Sequence, residues 1–159
     1  MLRAPVLSSV SLLLLVGSVA SGQEAYPVKD IIPGPSHGAI QDITAEGRRA
    51  FFTVVDVDHG RELWKTDGTA AGTQLVRDIV PGNGSSSFFP MCATPGLVFF
   101  IANDPVVGWE PFRSDGSEAG TYPVGDLTPG TDMGSFGVTC AGGFAFFAQQ
   151  LAGGRAELR

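Results

Sequence analysis

An acid, hydroxyls and glycines gather in "KTDGTAAGT", residues 65–73, and return 48 residues later as "RSDGSEAGT", residues 113–121. A carboxylate among hydroxyls and glycine amides suits four chemistries: a cation loop, a phosphate cradle, a catalytic carboxylate, or a turn that bonds itself. The residues in question are Asp67, Gly68 and Thr69 and their counterparts Asp115, Gly116 and Ser117. Further acids recur in the same way: Asp30, Asp78 and Asp126, and Glu62, Glu110 and Glu157. A catalytic group is needed once, at one place, whereas an acid present in every unit serves the unit. Asp before Gly is a hairpin signal, the side chain bonding nearby amides while Gly takes a positive φ. The predicted role of both triplets is therefore a structural turn, and no residue stands out as catalytic or cofactor-binding.

Calcium is the one rival as a cofactor, because hard cations want several oxygens. Asp56, Asp58 and Asp132 are the weak candidates for its ligands. No stretch matches the twelve-residue EF-hand loop or a Gly-Gly-x-Gly-x-Asp array. His37 and His59, the only histidines, sit beside glycine in predicted loops and outside any metal-ligand spacing. "PGNGSSS", residues 81–87, lacks the lysine of a phosphate loop and is expected to be a connector. An enzyme would need an acid, His, Arg or Tyr constellation confined to one unit. His37 and Asp104 stand as residues without counterparts, and they lie far apart in the unit.

The elements that position these residues are periodic. "YPVKDIIPG" at 26–34 aligns without gaps with "QLVRDIVPG" at 74–82 and "YPVGDLTPG" at 122–130. "AFFTVV", "VFFIAN" and "AFFAQQ" align likewise, the last one residue early. In the middle copy, turn residues separate four predicted strands at about 88–94, 97–103, 110–114 and 121–127. The apolar "LVFFIA" strand lacks alternation, as a strand buried on both faces does. Four antiparallel strands every 40 to 50 residues is the signature of a β-propeller blade. The predicted fold is all-β: a propeller-like array of four-stranded blades, with units at about 35–82, 83–130 and a partial 131–159, and 26–32 a lone final strand. About three units fall short of the 4 to 8 blades of closed propellers, so the expectation is a fragment of a longer repeat protein, or self-association. Pro111 lacks an amide donor and is expected only at a strand start or edge.

The N-terminus has the layout of a secretory leader: Arg3, the apolar run "APVLSSVSLLLLVGSVA", and small residues suited to cleavage after Ala20 or Gly22. Residues 1–22 are therefore predicted to be a signal peptide, with no membrane span after its removal. The whole chain carries a formal charge of −6, and losing Arg3 makes it −7. Such an acidic surface repels phosphate backbones, which disfavours nucleic acid as a partner. Cys92 and Cys140 are also 48 apart, with Thr44 in the matching place of the first copy. Export invites a disulfide between them, and two small buried thiols are the alternative.

"GRELWKTDGTAAGTQLVRDIVPG" resembles the ELWxxDGT-repeat proteins, exported bacterial chains sometimes called hyalin-like. The first copy matches position by position at Glu62, Leu63, Trp64, Asp67, Gly68 and Thr69; the second has Glu110, Pro111, Phe112, Asp115, Gly116 and Ser117; the third keeps Glu157 and Leu158. The resemblance implies a secreted or cell-surface repeat array, propeller-like, without established catalytic residues. Aromatics recurring once per unit, such as Trp64 and Phe112 or the Phe51/Phe52 and Phe99/Phe100 pairs, suit packing between units. Recognition of a protein or carbohydrate would use loops that differ between copies, such as "SHGAIQ", "SSSFFP" and "GSFGVT". The expected function is thus a non-enzymatic exported binding or surface module, with a piece of a propeller-type polysaccharide hydrolase or lyase as the alternative.

Overall fold

The computed structural model describes residues 10–14, 26–33, 39–86, 90–127, 136–151 and 155–158. His37, Asp132 and most of the predicted leader lie outside them. The described residues are all-β, without a helix. Strands β1 (Val10–Leu14) and β2 (Tyr26–Ile32) form an antiparallel pair. The strand expected to stand alone is therefore partnered by part of the predicted leader, which satisfies amides that a bare edge would leave open.

Three antiparallel sheets follow. The first holds β3 (Ile40–Glu46), β4 (Arg49–Asp56), β5 (Gly60–Thr66) and β6 (Gln74–Arg77) in sequence order. The second repeats that order with β7 (Cys92–Thr94), β8 (Leu97–Asp104), β9 (Gly108–Ser114) and β10 (Tyr122–Pro123). The third has β11 (Phe136–Ala141), β12 (Phe144–Leu151) and β13 (Arg155–Leu158).

Side chains alternate across a strand, so adjacent phenylalanines in β4 serve two interfaces. Phe51 packs with Leu63 and Val76 against Val98, Phe100 and Phe112 of the second sheet. Phe52 and Val54 face the other way and pack on Val28 and Ile32 of β2, beside Trp64. The first sheet is thus covered on both faces, which is why its central strand reads as a continuous apolar run. The next interface repeats the device, Phe99 meeting Phe147 of the third sheet edge-on at 6.1 Å. Each fully buried phenylalanine contributes about 1.5–3 kcal/mol by area removed from water.

Cys92 on β7 and Cys140 on β11 are joined in a disulfide, their Cα atoms 5.5 Å apart. It ties the first strand of the second sheet to the first strand of the third. At the matching place one sheet earlier, Thr44 Oγ1 donates to Met91 O at 3.3 Å.

Two strand predictions need correction. β7 begins at Cys92 rather than near residue 88, and β10 has two residues rather than seven. Pro111 explains the second. It sits inside β9, paired with Ile101 of β8, not at a start or edge. In an extended strand the N and C=O of one residue face the same neighbour. Pro111 O accepts from Val124 N at 2.7 Å, so its missing N–H also faces β10, and that ladder stops there. Leu63, in its place one unit earlier, pairs with Arg77, and β6 runs for four residues.

Candidate functional site

The turns quoted at the outset form closed hydrogen-bond circuits. Asp67 Oδ1 accepts from Thr69 N at 2.9 Å and Thr69 Oγ1 at 2.7 Å, and Thr69 Oγ1 accepts from Gly72 N at 2.9 Å. Asp115 Oδ1 accepts from Ser117 N at 2.8 Å and Ser117 Oγ at 2.7 Å, and Ser117 Oγ accepts from Gly120 N at 2.9 Å. Below each circuit two buried hydroxyls meet at 2.7 Å: Thr66 with Thr73, and Ser114 with Thr121. Gly68 and Gly116 have φ of 90° and 89°, the left-handed region that favours glycine. A Cβ on Gly72 would lie 2.0 Å from Asp67 Oδ1, and one on Gly120 would lie 2.1 Å from Asp115 Oδ1. The hydroxyls and amides of Thr69 and Ser117 hold both aspartates below the usual carboxylate range.

These turns also accept from the preceding unit. Lys29 Nζ on β2 donates to Thr73 O at 2.7 Å, and Arg77 on β6 makes the same bond to Thr121 O one unit later. Arg49 Nη1 reaches Asp115 O at 2.9 Å, and Lys65 Nζ reaches Gly116 O at 2.6 Å. The DG turn is therefore a clasp between neighbouring sheets, a role the hairpin reading alone does not contain.

Glu62 is fully buried on β5. Its carboxyl accepts from Ile79 N at 3.2 Å and Val80 N at 3.1 Å, pinning the loop after β6. Burial pushes its pKa up to about 7 against the hydrogen bonds of Ser86, Ile79 and Val80, with nearby Asp78 adding to the rise. Ser86 Oγ lies 2.7 Å from Glu62 Oε2 and 2.9 Å from Arg61 O. One hydroxyl proton serves only one of these acceptors; a protonated Glu62 donates to Ser86 Oγ, which then donates to Arg61 O. Glu110 repeats the anchor, its Oε2 accepting from Leu127 N at 2.9 Å.

Asp104 does have a counterpart, contrary to the expectation above. Its Oδ1 accepts from Val106 N at 2.7 Å and Val107 N at 3.2 Å, as Asp56 Oδ1 accepts from Asp58 N at 2.9 Å and His59 N at 2.7 Å. The two are the same turn residue, 48 apart. The match is obscured because the residues that follow differ: Val57, Asp58 and His59 in one turn, Pro105, Val106 and Val107 in the other.

That difference leaves the first unit with polar residues beside a cleft that the second unit lacks. A cleft of about 280 Å³ lies between the end of β2 and the β4–β5 turn, with Ile31, Ile32, Trp64, Asp58 and His59 among the residues lining it. His59 Nδ1 is 3.0 Å from Asp56 Oδ1, which fixes the ring, while Asp58 is exposed. Trp64 Nε1 is buried and has no hydrogen-bond partner among the described residues. Sequence reasoning placed His59 in a solvated loop and Trp64 in a core; their shared position beside β2 is a tertiary fact. Among the described residues no group of three or more His, Cys, Asp or Glu is placed to hold a metal ion, and Asp56 is already engaged by its own turn.

Comparison of the chain with protein-family models, with curated proteins and with solved structures returned no match. The functional reading rests on the residues themselves.

Proposed function

We propose that this chain is a non-enzymatic exported module of the ELWxxDGT-repeat type, its stacked sheets the blades of a propeller-like array, and that it recognises a partner through the first-unit cleft. One contrast carries the reading. Three pairs of acids shared by both complete units, Glu62 with Glu110, Asp67 with Asp115 and Asp56 with Asp104, accept hydrogen bonds from their own unit. Asp58, His59 and Trp64 belong to the first unit only, and they line an open cleft. The array is supported by sheets stacked in chain order, by first strands joined through Thr44 and Cys92, and by clasps recurring at 48-residue spacing. Export accounts for the leader and agrees with the disulfide. Leader removal after Gly22 takes away β1 and opens the edge of β2.

Glycan and peptide arrays, run beside chromogenic glycosidase substrates, test the proposal. Saturable capture without turnover is expected. Turnover abolished by a single substitution overturns it in favour of a polysaccharide hydrolase or lyase.

A further inference from the structure

We infer that the outer edge of β2 is a seat for the third strand of a neighbouring unit, held by β1 in the full chain and taken by β13 of a second copy once the leader is gone. The inference rests on the exported, propeller-like reading above and names the partner that completes the third sheet.

In the first sheet β5 meets β6 through Leu63 with Arg77, Trp64 with Leu75 and Lys65 with Gln74, with a break in register between Leu63 and Trp64. β1 meets β2 through Leu12 with Lys29, Leu13 with Pro27 and Leu14 with Tyr26, with a break between Leu12 and Leu13. Lys29, Pro27 and Tyr26 stand 48 residues before Arg77, Leu75 and Gln74. Pair for pair, then, β1 occupies the place of a third strand, with Leu12 and Leu13 standing in for Leu63 and Trp64. β2 is by position a fourth strand that lacks the rest of its sheet.

The third sheet has the opposite need. β13 pairs with β12, and among the described residues no strand lies on its other edge, where β6 and β10 lie in the two complete sheets. Glu157 and Leu158 stand in its sequence where β5 has Glu62 and Leu63. The faces correspond as the edges do. Phe51 of the first sheet packs on the second, and Phe99 of the second meets Phe147 of the third. Phe146 holds the matching place in the third sheet, with no sheet beyond it among the described residues. Phe144, 6.5 Å from Phe146 and 69% exposed, stands where Arg49 stands in the first sheet, and Arg49 reaches Asp115 O across the interface. A second copy seated head to tail sets β13 beside β2 and turns Phe144 and Phe146 toward its first sheet, continuing a stacking that the chain already makes twice. Three sheets per copy give about six in a pair, inside the range of about 4 to 8 blades that closes a propeller, whereas one copy or three fall outside it. Closure makes the pair a ring rather than an open filament.

The test compares the full chain with the form released by export, its N-terminus read by mass spectrometry and its mass by light scattering over a dilution series. The released form is expected to begin after Ala20 or Gly22 and to have twice the mass of one chain, while the full chain stays single at the same concentration. Replacing both Leu12→Pro and Leu13→Pro in the full chain frees β2 without a cut, because successive amides face opposite sides of a strand and one of the two lost faces β2. That variant should pair as the released form does, which keeps the test valid if the released form does not fold. Phe144→Lys and Phe146→Lys should each weaken pairing at least about tenfold, by burying a charge without a partner. Val106→Lys, in an exposed turn away from both ends of the stack, should leave pairing unchanged. The inference is overturned if the freed chain stays single, if full and freed chains associate equally, if the released form keeps its leader, or if Val106→Lys weakens pairing as much as the phenylalanine substitutions do. Capture on the glycan and peptide arrays is scored independently, so the binding-module reading stands or falls apart from this outcome.

Discussion

The first and second units share the hydrogen bonds of their turns and third strands and differ at a few side chains and in the length of their outer strands. Both have the Asp-anchored β-turn, the buried glutamate on the third strand, and the DG circuit clasped by a base from the sheet before. Leu63, Trp64, Asp58 and His59 of the first become Pro111, Phe112, Val106 and Val107 of the second. The common residues close hydrogen bonds that the fold would otherwise leave open; the differing ones shorten a strand or line a cleft. In this molecule the recurring acids serve construction, as does the unmatched Glu46–Arg49 pair, so a polar group found in one unit marks a candidate for recognition only where it lines a cleft.

The largest expected effect lies between units. The second and third sheets are joined covalently, whereas the first and second are held by packing and by hydrogen bonds from Thr44, Arg49, Lys65 and Arg77. Closing a loop with a sequence separation of 48 stabilises by about 4 kcal/mol in the chain-entropy account. Urea unfolding with and without reductant should show a loss of that order, and amide exchange in β11 and β12 should rise more than in β4 and β5. A uniform rise would mean that the two interfaces do not differ as described.

Next comes Glu62. Its folded pKa, about 7, lies above the ordinary carboxylate value of the unfolded chain, so the native state holds the extra proton between them. Stability is therefore fullest below about pH 4.5 as far as this group is concerned and declines as pH rises through 7, by about 3 kcal/mol in all. Glu62→Gln should flatten that slope in thermal melts from pH 5 to 8. A slope unchanged in the variant would assign the effect elsewhere.

The DG circuits give a smaller, local effect. Gly72→Ala and Gly120→Ala should each cost about 1–3 kcal/mol through the clash with the facing aspartate. In an Asp67→Ala background Gly72→Ala should cost far less, a coupling that a double-mutant cycle measures. Asp67→Ala should lower the melting temperature while the protein that remains folded keeps any cleft binding. The smallest effect is expected from Pro111→Leu, which gives the second unit the residue of the first. The new amide should become protected against exchange and extend β10, with little change in midpoint.

Much of the scaffold is legible in the chain. Doubled phenylalanines name the central strands, Pro-Gly and Asp-Gly pairs name the turns, and the period sets their order. The length of β10 is not, because it depends on which neighbour the missing amide of Pro111 faces. Glu62 reads as one more repeated acid, yet its partners are amides 17 and 18 residues away, brought to it by the loop after β6. Asp56 and Asp104 look unrelated because only the turn is shared and not the residues within it. The cleft needs β2 beside the β4–β5 turn, a packing that no local pattern announces.

The central claim is that the recurring acids are held by their own units. Carboxyl carbon titration by NMR tests it in one sample, following Asp67, Asp115 and Glu62 together. The two aspartates should titrate below the ordinary carboxylate range, and Glu62 should titrate near 7. Three ordinary, superimposed carboxylate curves would contradict the account.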